Sequence, residues 1–321
     1  MRTRAFFIVG VGRSGTSLLQ SMLAAHPRVS CLPETSFIRR RVLHRSLESI
    51  YKKHGRNGAV HALAHDAYFA RTRLVASEIV AGAVGQGGSL DAAVYRHMLT
   101  SYANERTTLV GDKDPRTIEY LPMLARVLPD AHVIHVFRDP RDVLVSKKKA
   151  AWSKEGHVWK HVFANRVQFR IGRTLGPALF GERYHEVCYE QLIASPETVL
   201  SRLCANLGID YDSRMLSFGD AAENLVSGSE MSWKKETLGP LLTQNTGKWK
   251  SELHPKEVLL TELCCSEAMA RGGYEKDTRP SRLTRKDKLW LRAGRLLILA
   301  ATWPYTKYRN LSTGFARRRM R

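Results

Sequence analysis

The sequence predicts an α/β protein: a doubly wound parallel sheet of about five strands flanked by helices, with a helical basic extension at the C-terminus. Three observations predict it. Ala5-Phe6-Phe7-Ile8-Val9 is apolar at every position, as a central parallel strand covered on both faces must be. That run meets the turn Gly10-Val11-Gly12-Arg13-Ser14-Gly15, and Leu18, Leu19, Met22 and Leu23 then recur at helical spacing within Thr16 to Ala25. Further strand-length apolar runs alternate with helical stretches along the rest of the chain.

The elements follow in order. Pro27 stops the first helix, because proline disfavours helical geometry in the residue before it. Val29 to Leu32 is a short second strand leading to Pro33-Glu34-Thr35. Residues 36–105 read as several helices with loops at Gly55-Arg56-Asn57-Gly58 and Gly85-Gln86-Gly87-Gly88. Thr108 to Val110 is a third strand, ahead of Gly111-Asp112-Lys113-Asp114-Pro115. Ala131 to Phe137 is the clearest later strand, ending at Arg138-Asp139-Pro140 and a helix through Ala150. Tyr184 to Tyr189 is the fifth strand, helices cross residues 190–208, and residues 255–271 are helical. Ligands of such a sheet bind outside the carboxyl ends of its strands.

At 321 residues, with 43 % hydrophobic and 25 % charged content, the chain can bury a sizeable core. We divide it into one domain over residues 1–278 and a basic amphipathic extension over 279–321. The net charge of +21 implies an anionic partner. From Arg279 to Arg321 there are thirteen Lys or Arg against Asp287 alone, which is +12 and leaves +9 for the first 278 residues. No RNA- or DNA-binding motif is present, so nucleic acid is not an expected partner. Cys31, Cys188, Cys204, Cys264 and Cys265 are odd in number and form no CxxC, the pattern of reduced, buried thiols in a cytoplasmic protein. The apolar run behind Arg2 and Arg4 covers only Ala5 to Val11, too short for a signal-peptide core or a membrane span.

Two constellations carry chemistry. Gly10 to Ser17 has the P-loop spacing G-x-x-x-x-G-T-S, with Thr16 where nucleotide triphosphatases have lysine. A glycine turn opening a helix aims backbone N–H groups and the positive end of the helix dipole at one spot, where an anion binds. Arg13 supplies a cation there, and Ser14, Thr16 and Ser17 supply hydroxyls. The missing lysine disfavours ATP hydrolysis. The second constellation is Arg138, at a strand end, with Ser146 two turns into the next helix; an arginine fork and a hydroxyl suit one phosphate. Asp139 or Asp142 can cap that helix. Taken singly, each has an ordinary explanation, a chance glycine turn or a solvated strand end.

Together they resemble the sulfotransferase family, and most closely the tyrosylprotein sulfotransferase branch and its bacterial relatives. The resemblance rests on GVGRSGTSLLQSMLAAHPRVSCLPETSFIRR (10–40), GDKDPRTIEYLPMLARVLPDAHVIHVFRDPRDVLVS (111–146), VCYEQLIASPETVLSRLCANLGI (187–209) and NTGKWK (245–250). It covers most of residues 5–275 in order, weakly at 41–105 and 150–182. It implies 3'-phosphoadenosine 5'-phosphosulfate as donor, with Arg13, Ser14, Gly15, Thr16 and Ser17 on the 5'-phosphosulfate. Arg138 and Ser146 would hold the 3'-phosphate, and Tyr189 would line the nucleotide site. Glu34 matches the catalytic base of the tyrosylprotein branch, and Lys113 a lysine that touches the transferring group. A serine within 227–232, Ser229 first among them, matches another donor contact. One basic residue of the family pattern, about a dozen positions after Arg138, falls on Ala150, and Lys148 or Lys149 would have to stand in for it.

Sulfuryl transfer is an in-line displacement, so the protein must align the reactants and neutralise charge on the leaving phosphate. The acceptor hydroxyl needs a base. We expect Glu34, partly desolvated, in that role, with Lys113 and Arg13 stabilising the sulfuryl and bridging oxygens and no metal. His26, His132 and His135 are rival bases, but the latter two sit on a core strand and His26 at the far end of the first helix. Two other functions stay open at this point: a nucleotide kinase or triphosphatase, and a non-catalytic basic module for membrane or nucleic acid. The motifs do not specify the acceptor, whether carbohydrate, glycolipid, metabolite or protein tyrosine; residues 41–105 and 150–182 are expected to shape its cleft. In the extension, Lys288 to Trp303 is apolar along much of its length and flanked by Arg, Lys, Trp and Tyr. It suits either an anionic membrane surface or a terminal helix packed on the body, and Arg292 and Arg295 break it as a span.

Overall fold

The computed structural model describes residues 3–42, 46–150, 157–225, 245–279 and 283–319. Strands β1 (Arg4–Gly10), β2 (Val29–Cys31), β3 (Leu109–Lys113), β4 (His132–Phe137) and β5 (Tyr184–Cys188) form one sheet in the order β2-β3-β1-β4-β5. Every neighbouring pair is parallel, with Phe6 of β1 opposite Gly111 of β3 and His132 of β4. A parallel sheet needs helices on both faces, and the alternation of β1 shows them. Phe7 and Val9 pack with Tyr95, Ile118 and Leu121 on one side. Phe6 and Ile8 pack with Leu19, Met22, Leu200 and Leu203 on the other. This is why the first strand has no polar position. The five cysteines are free and buried, as their pattern implied.

Several boundaries differ from the sequence expectation. β3 does not stop at Val110 but runs on through Gly111-Asp112-Lys113, and Asp112 and Lys113 are each 1 % exposed. Polar residues read as loop, but here hydrogen-bond partners from other elements satisfy them within the strand. The interruption expected at Gly55–Gly58 is confined to one residue: within Leu47–Ala64 two helical segments meet at Gly55, whose non-helical φ of 64° a glycine adopts at little cost. The helical stretch 255–271 is two helices, Pro255–Cys264 and Ser266–Gly272. Much of the weakly matching stretch 150–182 is one helix, Val158–Phe180.

The extension forms a single helix, Arg285–Arg319, packed against Val158–Phe180 and Pro255–Cys264. Ile298 is buried in that contact, and the Tyr305 hydroxyl donates to Glu119 Oε2 at 2.5 Å. Its inner face therefore fits the packed-helix alternative.

The first glycine of the loop ends β1 so close to β4 that a Cβ there would lie 2.3 Å from the Val136 carbonyl oxygen. Backbone cannot yield as a side chain can, so Gly10→Ala should destabilise the fold by about 1–3 kcal/mol. Urea unfolding of the variant against wild type checks this.

Candidate active site

The glycine loop is bent by two residues in the left-handed region, Arg13 (φ 78°) and Gly15 (φ 93°). For Arg13 that conformation is costly, and such costs concentrate at functional sites. At Gly15 a Cβ would sit 2.3 Å from the Tyr189 ring, so only glycine lets the loop lie on that tyrosine. Ser14 is fully buried, and its hydroxyl lies 2.6 Å from the Val11 carbonyl oxygen and 3.0 Å from that of Val136. It ties the loop to β4 and points inward, unlike the ligand-facing hydroxyl implied by the resemblance. Thr16 opens the helix Thr16–Ala24, which has no acidic residue in its first turn and no side-chain cap. Its N-terminal field is left for an anion.

Arg13 and Ser146, 133 positions apart in the chain, meet: Arg13 Nε donates to Ser146 Oγ at 2.9 Å. Arg138, leaving β4, lies over the Tyr189 ring with its Cζ 4.3 Å from the centroid, a favourable cation–π distance. Its Nη2 donates to the Asn245 carbonyl at 2.5 Å, while Asn245 Nδ2 donates to the Tyr189 hydroxyl at 2.8 Å. Arg138 Nε is buried with no hydrogen-bond partner among the described residues. A buried guanidinium N–H without an acceptor is costly, and an anion at this position would relieve it. The two constellations are thus halves of one cluster.

Asn245 had no role assigned from sequence, although NTGKWK was a signal for it. Asp142 explains its position, accepting the N–H groups of Gly247 at 2.7 Å and Trp249 at 3.0 Å. The helix cap is Asp139 instead, which accepts from the Arg141 N–H at 2.9 Å. Neither Lys148 nor Lys149 replaces the basic residue absent at Ala150. They are committed outward, to Glu257 at 2.8 Å and Glu252 at 2.6 Å. Ser229 lies outside the described residues.

Glu34 and Lys113 follow adjacent parallel strands and so emerge side by side. Lys113 Nζ is ion-paired with Glu34 Oε2, the lysine side chain 1 % and the glutamate 19 % exposed. Three further contacts hold this pair's backbone. Gln20 Nε2, on the loop helix, donates to the Leu32 carbonyl at 2.7 Å. Thr35 Oγ1 donates to Asp112 Oδ2 at 2.5 Å, and the Lys113 N–H donates to Asp112 Oδ1 at 2.7 Å. Asp112 therefore clamps the neighbour of Glu34 and the backbone of Lys113 itself, and the Tyr95 hydroxyl donates to it as well at 2.9 Å. Burial pushes its carboxyl up to about 6, against the opposing effect of those donors. Sequence inspection missed Asp112 because nothing local distinguishes it from a turn aspartate.

The histidines are structural. His26 accepts from the Arg28 N–H at 3.0 Å and bonds the Asp210 carbonyl at 2.9 Å. His132 pairs with His185 at 2.9 Å, and burial lowers its pKa to about 4. His135 is wholly buried beside the Tyr184 hydroxyl at 2.6 Å, and burial lowers it to about 3.

A carboxyl whose pKa is higher folded than unfolded is bound to its proton more tightly in the native state, so native stability falls as pH rises through the interval. For Asp112 the interval runs from 3.8 to about 6, worth up to about 3 kcal/mol. Asp112→Asn removes that titration while keeping the side chain's shape. The stability of wild type minus that of the variant should fall by that order across the interval, measured by chemical unfolding at several pH values.

Comparison with known proteins agrees with this geometry. A model described as the sulfotransferase family matches residues 5–213. Protein-tyrosine sulfotransferase 1 of Danio rerio is 26 % identical over 301 residues, covering 89 % of this chain and 76 % of the relative. Protein-tyrosine sulfotransferase A of Caenorhabditis elegans is 24 % identical over 296 residues, covering 90 % and 72 %. The sulfotransferase domain of the Synechococcus PCC 7002 olefin synthase shares the fold with a TM-score of 0.62 at 22 % identity, over 85 % of this chain and 95 % of that one. The sulfotransferase domain from the curacin biosynthetic pathway does so with a TM-score of 0.55 at 20 % identity, over 86 % and 99 %. The nucleotide-kinase and non-catalytic alternatives give way to these matches. A family match across the whole sheet, on a parallel fold of the same kind, means that this chain belongs to the sulfotransferase family and is an enzyme of that class.

Proposed function

We propose that this enzyme transfers a sulfuryl group from 3'-phosphoadenosine 5'-phosphosulfate to an acceptor hydroxyl, with Glu34 as general base. The observation that carries this reading is the Arg13–Ser146 hydrogen bond, which joins the glycine loop to the β4 end as one anion cradle. The unpartnered, buried Arg138 Nε beside it supports a bound phosphate. In this reading Arg13, Gly15, Thr16 and Ser17 hold the 5'-phosphosulfate, and Ser14 keeps the loop in shape. Arg138 and Ser146 hold the 3'-phosphate. Tyr189 lines the nucleotide site, with Asn245 fixing both the tyrosine and Arg138.

The donor supplies an activated sulfuryl group and a bisphosphate leaving group. Arg13 and the loop N–H groups supply positive potential where the leaving oxygen gains charge. Lys113 holds the Glu34 carboxylate in one orientation by their ion pair and brings a buried positive charge to the transferring oxygens. Glu34, the more exposed partner, takes the proton of the acceptor hydroxyl. The likeness to animal protein-tyrosine sulfotransferases makes protein tyrosine the first acceptor class to test, beside carbohydrate, glycolipid and metabolite hydroxyls.

Calorimetric titration with 3'-phosphoadenosine 5'-phosphate, beside ATP, tests the donor site. Wild type should bind the bisphosphate at least about tenfold more tightly than ATP. Arg138→Ala should lose about 10- to 100-fold, as expected for charge-assisted hydrogen bonds. Equal affinity for ATP would sink the assignment. Glu34→Gln should keep bisphosphate binding but lower kcat by about 10²–10⁴-fold, the usual range for a general base, in a transfer assay with radiolabelled donor.

A further inference from the structure

The helix Arg285–Arg319 has two unlike faces. Asp287, Leu291, Gly294, Ile298, Thr302, Tyr305 and Arg309 follow one another at steps of three or four and turn toward the body, buried or half-buried. On the opposite side stand Leu289, Leu296 and Trp303, seven residues apart and 70 %, 70 % and 67 % exposed. Of the eleven exposed large hydrophobic side chains among the described residues, six lie on this helix. Single exposed leucines need no explanation, but a concentrated row of them marks an interaction surface.

Charge decides what covers that surface. After Asp287 the chain carries nine Lys or Arg and no acid. Asp287 is buried and paired with Lys256 at 2.7 Å, so it offers no outward negative charge. Arg292, Arg295 and Lys307 are exposed beside the apolar row, Lys307 with its Nζ 4.8 Å from the Trp303 ring centroid. A second copy meeting this face by two-fold symmetry would set those cations against themselves with no acid between them. An apolar row flanked by cations, with a tryptophan, fits the boundary between acyl chains and anionic headgroups. Among the described residues no helix is long and apolar enough to cross a membrane, so the helix would lie along the surface.

We propose that the outward face of this helix docks the enzyme on an anionic lipid bilayer. The inference is independent of the donor and base assignments. It also has a consequence for them: the helix's inner face bonds Glu119 through Tyr305 and Tyr120 through Arg309, at 2.5 and 2.6 Å. Both partners lie in the turn Pro115–Tyr120, immediately after Lys113 and Asp114. The inner face of the docking helix and the Glu34–Lys113 pair are thus joined through a single turn.

Flotation of the full chain with phosphatidylcholine vesicles, with and without about one-third phosphatidylglycerol, tests the proposal. Three exposed cations at about one kcal/mol each correspond to about a hundredfold preference for the anionic vesicles, lost in high salt. The double variant Leu296→Glu with Trp303→Glu should abolish binding while keeping the wild-type melting temperature. Should that variant fold poorly, Leu289→Glu alone should weaken binding at least about tenfold. Absence of binding by wild type, or binding retained in a folded variant, overturns the proposal. So does a wild-type dimer that the same substitutions dissociate without any vesicle binding, since the face would then belong to a second copy.

Discussion

Parallel pairing of β1 with β3 on one side and β4 on the other is the constraint from which the site follows. When all five strands run the same way, their carboxyl ends emerge along one edge, and whatever residue follows each strand is delivered there. Gly10 opens the loop after β1, Glu34 follows β2, Lys113 ends β3, Arg138 follows β4 and Tyr189 follows β5. Residues as far apart as Arg13 and Tyr189, separated by 176 positions, are thereby gathered without any special arrangement of the loops between. The same register leaves room at Gly10 and Gly15 for nothing larger than glycine.

Burying so many charges on one edge demands partners for them, and the chain supplies these from distant elements. Arg141 is enclosed by Asp139, Glu262 and the Trp249 ring, its Cζ 3.7 Å from the indole centroid. Asp142 takes two backbone N–H groups from the 245–250 segment and so carries Asn245 to Arg138 and Tyr189. Asp112 performs the matching task on the other side, gathering Thr35, Tyr95 and the Lys113 N–H behind the Glu34–Lys113 pair. Burial raises the pKa of Asp112 and of Asp142, a cost that fixed geometry at the neighbouring ligand and acceptor positions offsets. Against this background the unsatisfied Arg138 Nε stands out, because its neighbours Arg13 and Arg141 reach acceptors on Ser146 and Glu262.

The C-terminal helix extends the same logic to the periphery. Its inner seam is anchored by polar contacts to Glu119, itself held by Gln168 at 2.7 Å. That anchoring takes Arg309 out of the helix's outward charge, since its guanidinium pairs with Glu119 at 2.9 Å. What faces outward is then an apolar row with cations at its flanks, a composition that neither a core helix nor an ordinary solvated helix has.

Fold and site were unequally legible in the chain. An all-apolar first strand, a glycine turn and regular strand–helix alternation determine the parallel architecture, because local burial on two faces leaves no other pattern. The glycine loop and the Arg138–Ser146 spacing mark an anion site for the same local reason: backbone N–H groups and an arginine fork are properties of a few consecutive residues. Tertiary structure alone decided that Ser14 turns inward, that Lys148 and Lys149 are spent on Glu257 and Glu252, and that Asp112 and Asn245 belong to the site. It also separated the two faces of a terminal helix whose sequence suited membrane and body equally. Those outcomes depend on which side chains meet across elements far apart in the chain, and a hydrogen bond between distant residues leaves no periodicity in either segment.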